Sequence, residues 1–108
     1  MLIEVKLHTR GEEIFANGKF DGKIFTVLAG GKIRTDFADH IRGGKKAKSY
    51  RDNREFVDEA GNILKDCTFT SPSTAAQFVT GRSTNGYEAW KVDTKTSLDK
   101  YMKENGLR

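Results

Sequence analysis

The chain has 108 residues, a formal net charge of +4, 36% hydrophobic and 31% charged residues. That length gives one domain burying on the order of 65% of its unfolded surface, and the composition excludes a disordered chain. No apolar run approaches the ~20 residues of a membrane span. Cys67 is the one cysteine, which excludes an internal disulfide and a cysteine-based zinc site. Met1 is followed by Leu-Ile-Glu-Val-Lys, without the charged start and continuous apolar centre of a signal peptide. These features point to the cytoplasm of a bacterium or of a phage-infected cell.

Ile3, Val5 and Leu7 alternate with Glu4 and Lys6, which predicts a first strand. Glu12 to Ala16 and Lys23 to Leu28 flank the turn-rich stretch from Asn17 to Gly22, the pattern of a hairpin. Gly30-Gly31 breaks the second of these, and Lys32 to Thr35 continues it or pairs in the sheet. Phe37 to Ile41 reads as a short helical turn. Ser49 begins a predicted helix to about Glu59, with Tyr50, Phe56 and Val57 partly inward and Gly61 ending it. Ile63 and Leu64 form a short strand or turn, and Cys67 stands just before a strand as a small buried hydrophobe.

The stretch from Phe69 to Trp90 has the sharpest local signals. Ser71 is a helix N-cap and Pro72 fits the first helical position, where a missing N–H costs nothing. Ala75, Ala76, Phe78 and Val79 give one apolar side, and Gly81 stands where a left-handed C-cap belongs. The pattern predicts a helix from about Pro72 to Thr80. Arg82, Ser83 and Thr84 then form a polar connection, and Asn85-Gly86 suits the positive φ of a tight turn. Tyr87 to Val92 reads as a strand, with Glu88, Trp90 and Val92 on one face. Thr96 or Ser97 caps a terminal helix through Glu104, with Leu98, Tyr101 and Met102 at helical spacing and Gly106 beyond it. The expected fold is α+β: a single domain with a small, mostly antiparallel sheet and two or three short helices.

A Ser-Pro-Ser helix start, small alanines, a glycine, then Ser-x-Asn-Gly-aromatic-x-x-Trp resembles the small bacterial domain of unknown function found C-terminal to GIY-YIG nucleases. It is also similar to the related restriction-enzyme-adenine-methylase-associated domain. Upstream, Ala16-Asn17-Gly18 and the run from Phe25 to Arg34 resemble that domain's early glycine and its strand and turn. Arg51, Arg54, Gly61 and Leu64 resemble its arginine-containing helix and glycine turn. The resemblance spans about residues 10 to 95. It departs at Gly31, where the family usually has serine, and at Tyr87, where tryptophan is more frequent. It implies an architecture and a genomic setting among nucleases and restriction–modification proteins; no catalytic residue is carried over.

Charge is concentrated. Between Arg42 and Arg54 stand Arg42, Lys45, Lys46, Lys48, Arg51 and Arg54 against the single acid Asp52, so this segment carries +5 and the other 95 residues sum to −1. Gly43-Gly44 reads as a flexible start, and Tyr50 lies among the cations. A basic loop running into a helix suits phosphate contact, since lysines act as point charges and arginines bind bidentately. The plainer reading is a solvated loop that maintains solubility. A second candidate surface is Arg82, Asn85 and Tyr87: an arginine fork, an amide suited to adenine and a stacking face. On the plainer reading Asn85 makes the turn and Tyr87 covers the core.

The residues of an enzyme are not apparent. His8 and His40 stand apart, and Asp36, Asp39 and His40 suit the solvated side of a helical turn better than a metal site. Phosphate loops, dinucleotide fingerprints and nucleophile elbows are missing from the sequence. The expectation is a non-catalytic accessory module without cofactor or metal, which binds nucleic acid, DNA in the first place, in a nuclease or restriction–modification setting. The alternative is a protein–protein adaptor, or a phage or mobile-element protein acting on a host defence enzyme.

Overall fold

A computed structural model of the chain describes residues 2–9, 13–36 and 44–108. Six strands form one antiparallel sheet: β1 (Ile3–His8), β2 (Phe15–Phe20), β3 (Phe25–Val27), β4 (Cys67–Phe69), β5 (Lys91–Asp93) and β6 (Thr96–Ser97). Four helices accompany it: α1 (Lys45–Asp52), α2 (Pro72–Thr80), α3 (Gly86–Ala89) and α4 (Leu98–Glu104). The strand order is β4-β3-β2-β1-β5-β6, a four-stranded meander with a late hairpin added beside β1. The α+β expectation is met. No described helix is long and apolar enough to cross a membrane.

Alternation decides which face is buried. Ile3, Val5 and Leu7 of β1, Ala16 and Phe20 of β2, Phe25 and Val27 of β3, and Cys67 and Phe69 of β4 all point inward. There they meet Ala75, Ala76, Phe78 and Val79 of α2 and Trp90, so that the helix side predicted from the sequence is the core side. The Phe25 ring lies 4.6 Å from Trp90, and Phe69 lies 5.3 Å from Phe78.

The hairpin forms with its turn displaced. Asn17 and Gly18 lie inside β2, where a Cβ on Gly18 would stand 2.6 Å from the Phe25 ring, so the glycine makes room for an aromatic across the strands. The turn is Asp21 to Ile24: Asp21 Oδ1 accepts from the N–H groups of Lys23 and Ile24, and Gly22 takes φ 96°. Lys32 pairs in the sheet by isolated bridges to Phe15 and Asn62. Ile63 pairs with Val57.

Two further elements differ from expectation. The first long helix runs from Lys45 to Asp52, not from Ser49 to Glu59, and has no side-chain cap. It is placed by burial of Ala47 and Arg51, a tertiary cause that outweighs the local cap signal of Ser49. The predicted strand over Tyr87–Val92 begins only at Lys91; residues 86–89 are helical, with Asn85 as N-cap accepting from the Tyr87 N–H. The helical turn expected over Phe37–Ile41 lies outside the described residues. α2 matches its expected bounds, with Ser71 Oγ accepting from the Thr74 N–H and Gly81 at φ 70°. α4 is capped by Ser97, whose hydroxyl accepts from the Lys100 N–H.

Candidate nucleic-acid interface

The charge run divides into two physically different sets. Lys45, Lys46 and Lys48 are exposed on α1, a helix where a loop was expected. Lys45 and Lys48, three apart, are neighbours on one side of it. Lys48 lies 3.3 Å from Asp52, and Lys46 stands over the Tyr50 ring at 5.3 Å. Both partners of the Lys48–Asp52 pair are well exposed, so the pair contributes little. The first turn of α1 contains no acid. Gly44 is buried at the helix start with φ −78°, a conformation open to any residue. Arg42 and Gly43 lie outside the described residues.

Arg51 and Arg54 point elsewhere. Arg51 is only 7% exposed, and its Nε donates to the Phe78 carbonyl at 3.0 Å while Nη2 donates to the Arg34 carbonyl. Arg34 adds its own Nε to the Thr80 carbonyl at 3.0 Å and its backbone N–H to Val79. With the Gly81 N–H on Gln77, all four carbonyls left open by the last turn of α2 are met. Two guanidinium groups therefore complete the C-terminus of α2, at the negative end of its dipole. Burial pushes the Arg51 pKa down to about 10, opposed by Asp36 and Asp52, and the group remains a cation at neutral pH. Arg54 Nη1 donates to the carbonyls of Arg51 and Val57 and fastens the turn after α1.

The second candidate patch is divided in the same way. Arg82 Nη2 lies 2.6 Å from Asp36 Oδ2, and this guanidinium holds the Asp36 carboxyl below its ordinary range. Arg82 thus joins Arg34 and Arg51 around Asp36. Asn85 caps α3, and Tyr87 is covered by Arg108, whose guanidinium carbon lies 3.6 Å from the ring centroid. Arg108 is in turn paired with Asp99 at 2.8 Å. The amide and stacking face expected to read a base are thereby engaged within the protein. Arg34 is a capping cation outside the charge run; its sign is visible in the sequence, but only the fold brings it to α2.

Among the described residues no three of His, Cys, Asp and Glu stand together as metal ligands would. Asp39 and His40 lie outside the described residues. Cys67 is fully buried in β4, and burial pushes its thiol up to about 12, so it is a packing residue and not a nucleophile.

The Phe69–Trp90 signature is a set of fasteners. Ser71 caps α2, Ser73 Oγ accepts from the Gly86 N–H at 3.0 Å, and Trp90 Nε1 donates to the Pro72 carbonyl at 3.0 Å. A Cβ on Gly86 would stand 2.1 Å from the Pro72 carbonyl carbon and oxygen, so this glycine serves close approach and not a positive φ. The sequence model of the family described as Domain of unknown function (DUF4357) matches residues 7–102. The chain belongs to this family. Comparison with curated proteins and with solved structures found no match. Within this DUF4357 chain the Phe69–Trp90 stretch thus builds the junction of α2 and α3.

Proposed function

We propose that the protein is a non-catalytic, cytoplasmic accessory module that binds nucleic acid, DNA in the first place, through the first half of α1. One observation carries this reading: Lys45, Lys46 and Lys48 stand exposed in and beside a helical first turn that has no acid. Cations at the N-terminus oppose the helix dipole at a cost of about 0.3–1 kcal/mol each, and an incoming phosphate reverses that penalty. The resemblance to domains that accompany GIY-YIG nucleases and adenine methylases supports a role in bringing such an enzyme to its substrate.

With Arg51 buried and Arg54 bonded to backbone carbonyls, the proposed phosphate contacts among the described residues are the three lysines of α1. Three contacts give a log–log salt slope near −2.7, so raising salt from about 50 to about 200 mM weakens duplex binding ~40-fold. Fluorescence anisotropy with a short labelled duplex tests this. Lys45→Gln/Lys46→Gln/Lys48→Gln should remove most of the slope. Failure of the wild type to bind duplex at low salt would reject the reading and favour an adaptor whose lysines meet an acidic protein surface.

A further inference from the structure

The outer face of the sheet carries a second group of cations, fixed by strand register. His8 of β1 lies opposite Phe15 of β2, and Phe15 opposite Lys32; one row on, Lys91 of β5 lies opposite Lys6 and Lys6 opposite Asn17. Directly paired residues share a face. Two contiguous rows therefore hold Lys32, Phe15, His8, Asn17, Lys6 and Lys91, and no carboxylate. Phe15 is 41% exposed, while its neighbours Ile14 and Ala16 are buried on the opposite face. None of the three lysines forms an ion pair among the described residues. Shallow grooves of about 360 and 410 Å³ flank Lys6 and His8, one beside Phe15 and Asn17 and the other beside Lys91. Acids border the rows and are not part of them: Glu4 stands opposite Lys19, Asp93 lies beside Lys91 with Oδ1 accepting from the Lys95 N–H, and Glu13 shares a cleft with Lys32.

We propose that this face is a separate platform for single-stranded nucleic acid, in which a base stacks on Phe15 and Lys6, Lys32 and Lys91 meet the phosphates. An open aromatic ring beside lysines suits a base whose face is free, which a single strand offers and the interior of a duplex does not. Cation rows without acids match a polyanion. Neighbouring strands are ~4.8 Å apart, so each row of three side chains spans ~10 Å. Phe15, Lys6 and Lys91 lie on β2, β1 and β5 and Lys32 on the segment bridged to Phe15, so the platform uses no residue of α1 and does not rest on the α1 reading.

The test is anisotropy with a labelled oligo(dT) and, separately, the duplex, using the full chain. Phe15→Ala should weaken oligo(dT) binding about 5- to 150-fold, since stacking is worth ~1–3 kcal/mol per base. Phe15→Tyr should retain binding and Phe15→Leu should not. Lys6→Gln/Lys91→Gln should flatten the single-strand salt slope by about 1.4. The α1 lysine variant should leave oligo(dT) affinity within about twofold while losing duplex. Any of three results overturns the platform: no oligo(dT) binding by the wild type at low salt, wild-type binding by Phe15→Leu, or loss of oligo(dT) binding only with the α1 lysines. Phe15 is half exposed, so an unchanged thermal midpoint separates these effects from misfolding.

Discussion

Arg51 donates from Nε to the carbonyl of Phe78 at 3.0 Å, across 27 residues of sequence. This bond ties α1 to the end of α2 and turns the most basic part of the chain partly inward. The charge there is not uniform in purpose: Lys45, Lys46 and Lys48 face water, and the guanidinium groups of Arg51 and Arg54 serve backbone carbonyls.

Arg51→Ala should therefore cost about 2–4 kcal/mol, because it leaves buried carbonyls without donors and opens a void. Arg51→Lys should lose most of the same amount, since one ammonium cannot reproduce the fork. Arg82→Ala removes an exposed pair with Asp36 and should cost less than about 1 kcal/mol. Urea titrations of the three variants distinguish these outcomes.

Gly86→Ala brings a methyl group against the Pro72 backbone at 2.1 Å. Backbone has to shift to admit it, so destabilisation of roughly 2–4 kcal/mol is expected, above the usual range for a glycine replaced in an open helix. Asn85→Ala, which loses only the cap of α3, should cost about 1 kcal/mol. Calorimetric midpoints for the two variants give the ranking.

Cys67 should be inert while the chain is folded. It is fully buried, and a thiol raised to about 12 supplies almost no thiolate at pH 8. Labelling by a disulfide reagent should proceed at the rate of opening and accelerate sharply near the urea midpoint. Rapid labelling in native buffer would place β4 at a frayed edge.

Acid should destabilise the fold through its turn carboxylates. Asp58 accepts from the Asn62 Nδ2 and N–H and from the Ala60 N–H, and these bonds lower its pKa below the ordinary 3.8. Asp36, Asp21 and Asp93 are lowered likewise, first by Arg82, by the Ile24 N–H and by the Lys95 N–H respectively. Lowered carboxyl values stabilise the fold above the unfolded pKa, and the gain is lost as pH falls through the folded values. Stability should be level above about pH 5 and decline below about pH 4. Asp58→Asn should lower the plateau and flatten the acid limb.

The sequence discloses elements whose signals are local. Ser71, Pro72 and Gly81 bound α2 because cap and helix lie within one turn of each other. Alternation of Ile3, Val5 and Leu7 suffices for β1 in the same way. Positions settled by distant partners are not legible. Asn17-Gly18 has the composition of a turn, yet Gly18 is there to admit the Phe25 ring. Asn85-Gly86 has that composition too, yet Pro72 and Ser73, more than ten residues away, hold it in a helical start. Tyr87 to Val92 alternates like a strand, and only the lodging of Trp90 under Pro72 makes its first half helical. The charge run shows sign but not depth, so Arg51 and Lys48 look alike until α1 packs on α2.

The order β4-β3-β2-β1-β5-β6 places the N-terminal strand between partners from opposite ends of the chain. On a ribosome, β1 to β4 have all been synthesised while one flank of β1 still waits for Lys91. Until then that flank presents unpaired amide and carbonyl groups able to recruit another nascent chain. The late hairpin thus caps that flank at Lys6, a contact that depends on residues made long after the rest of β1's partners.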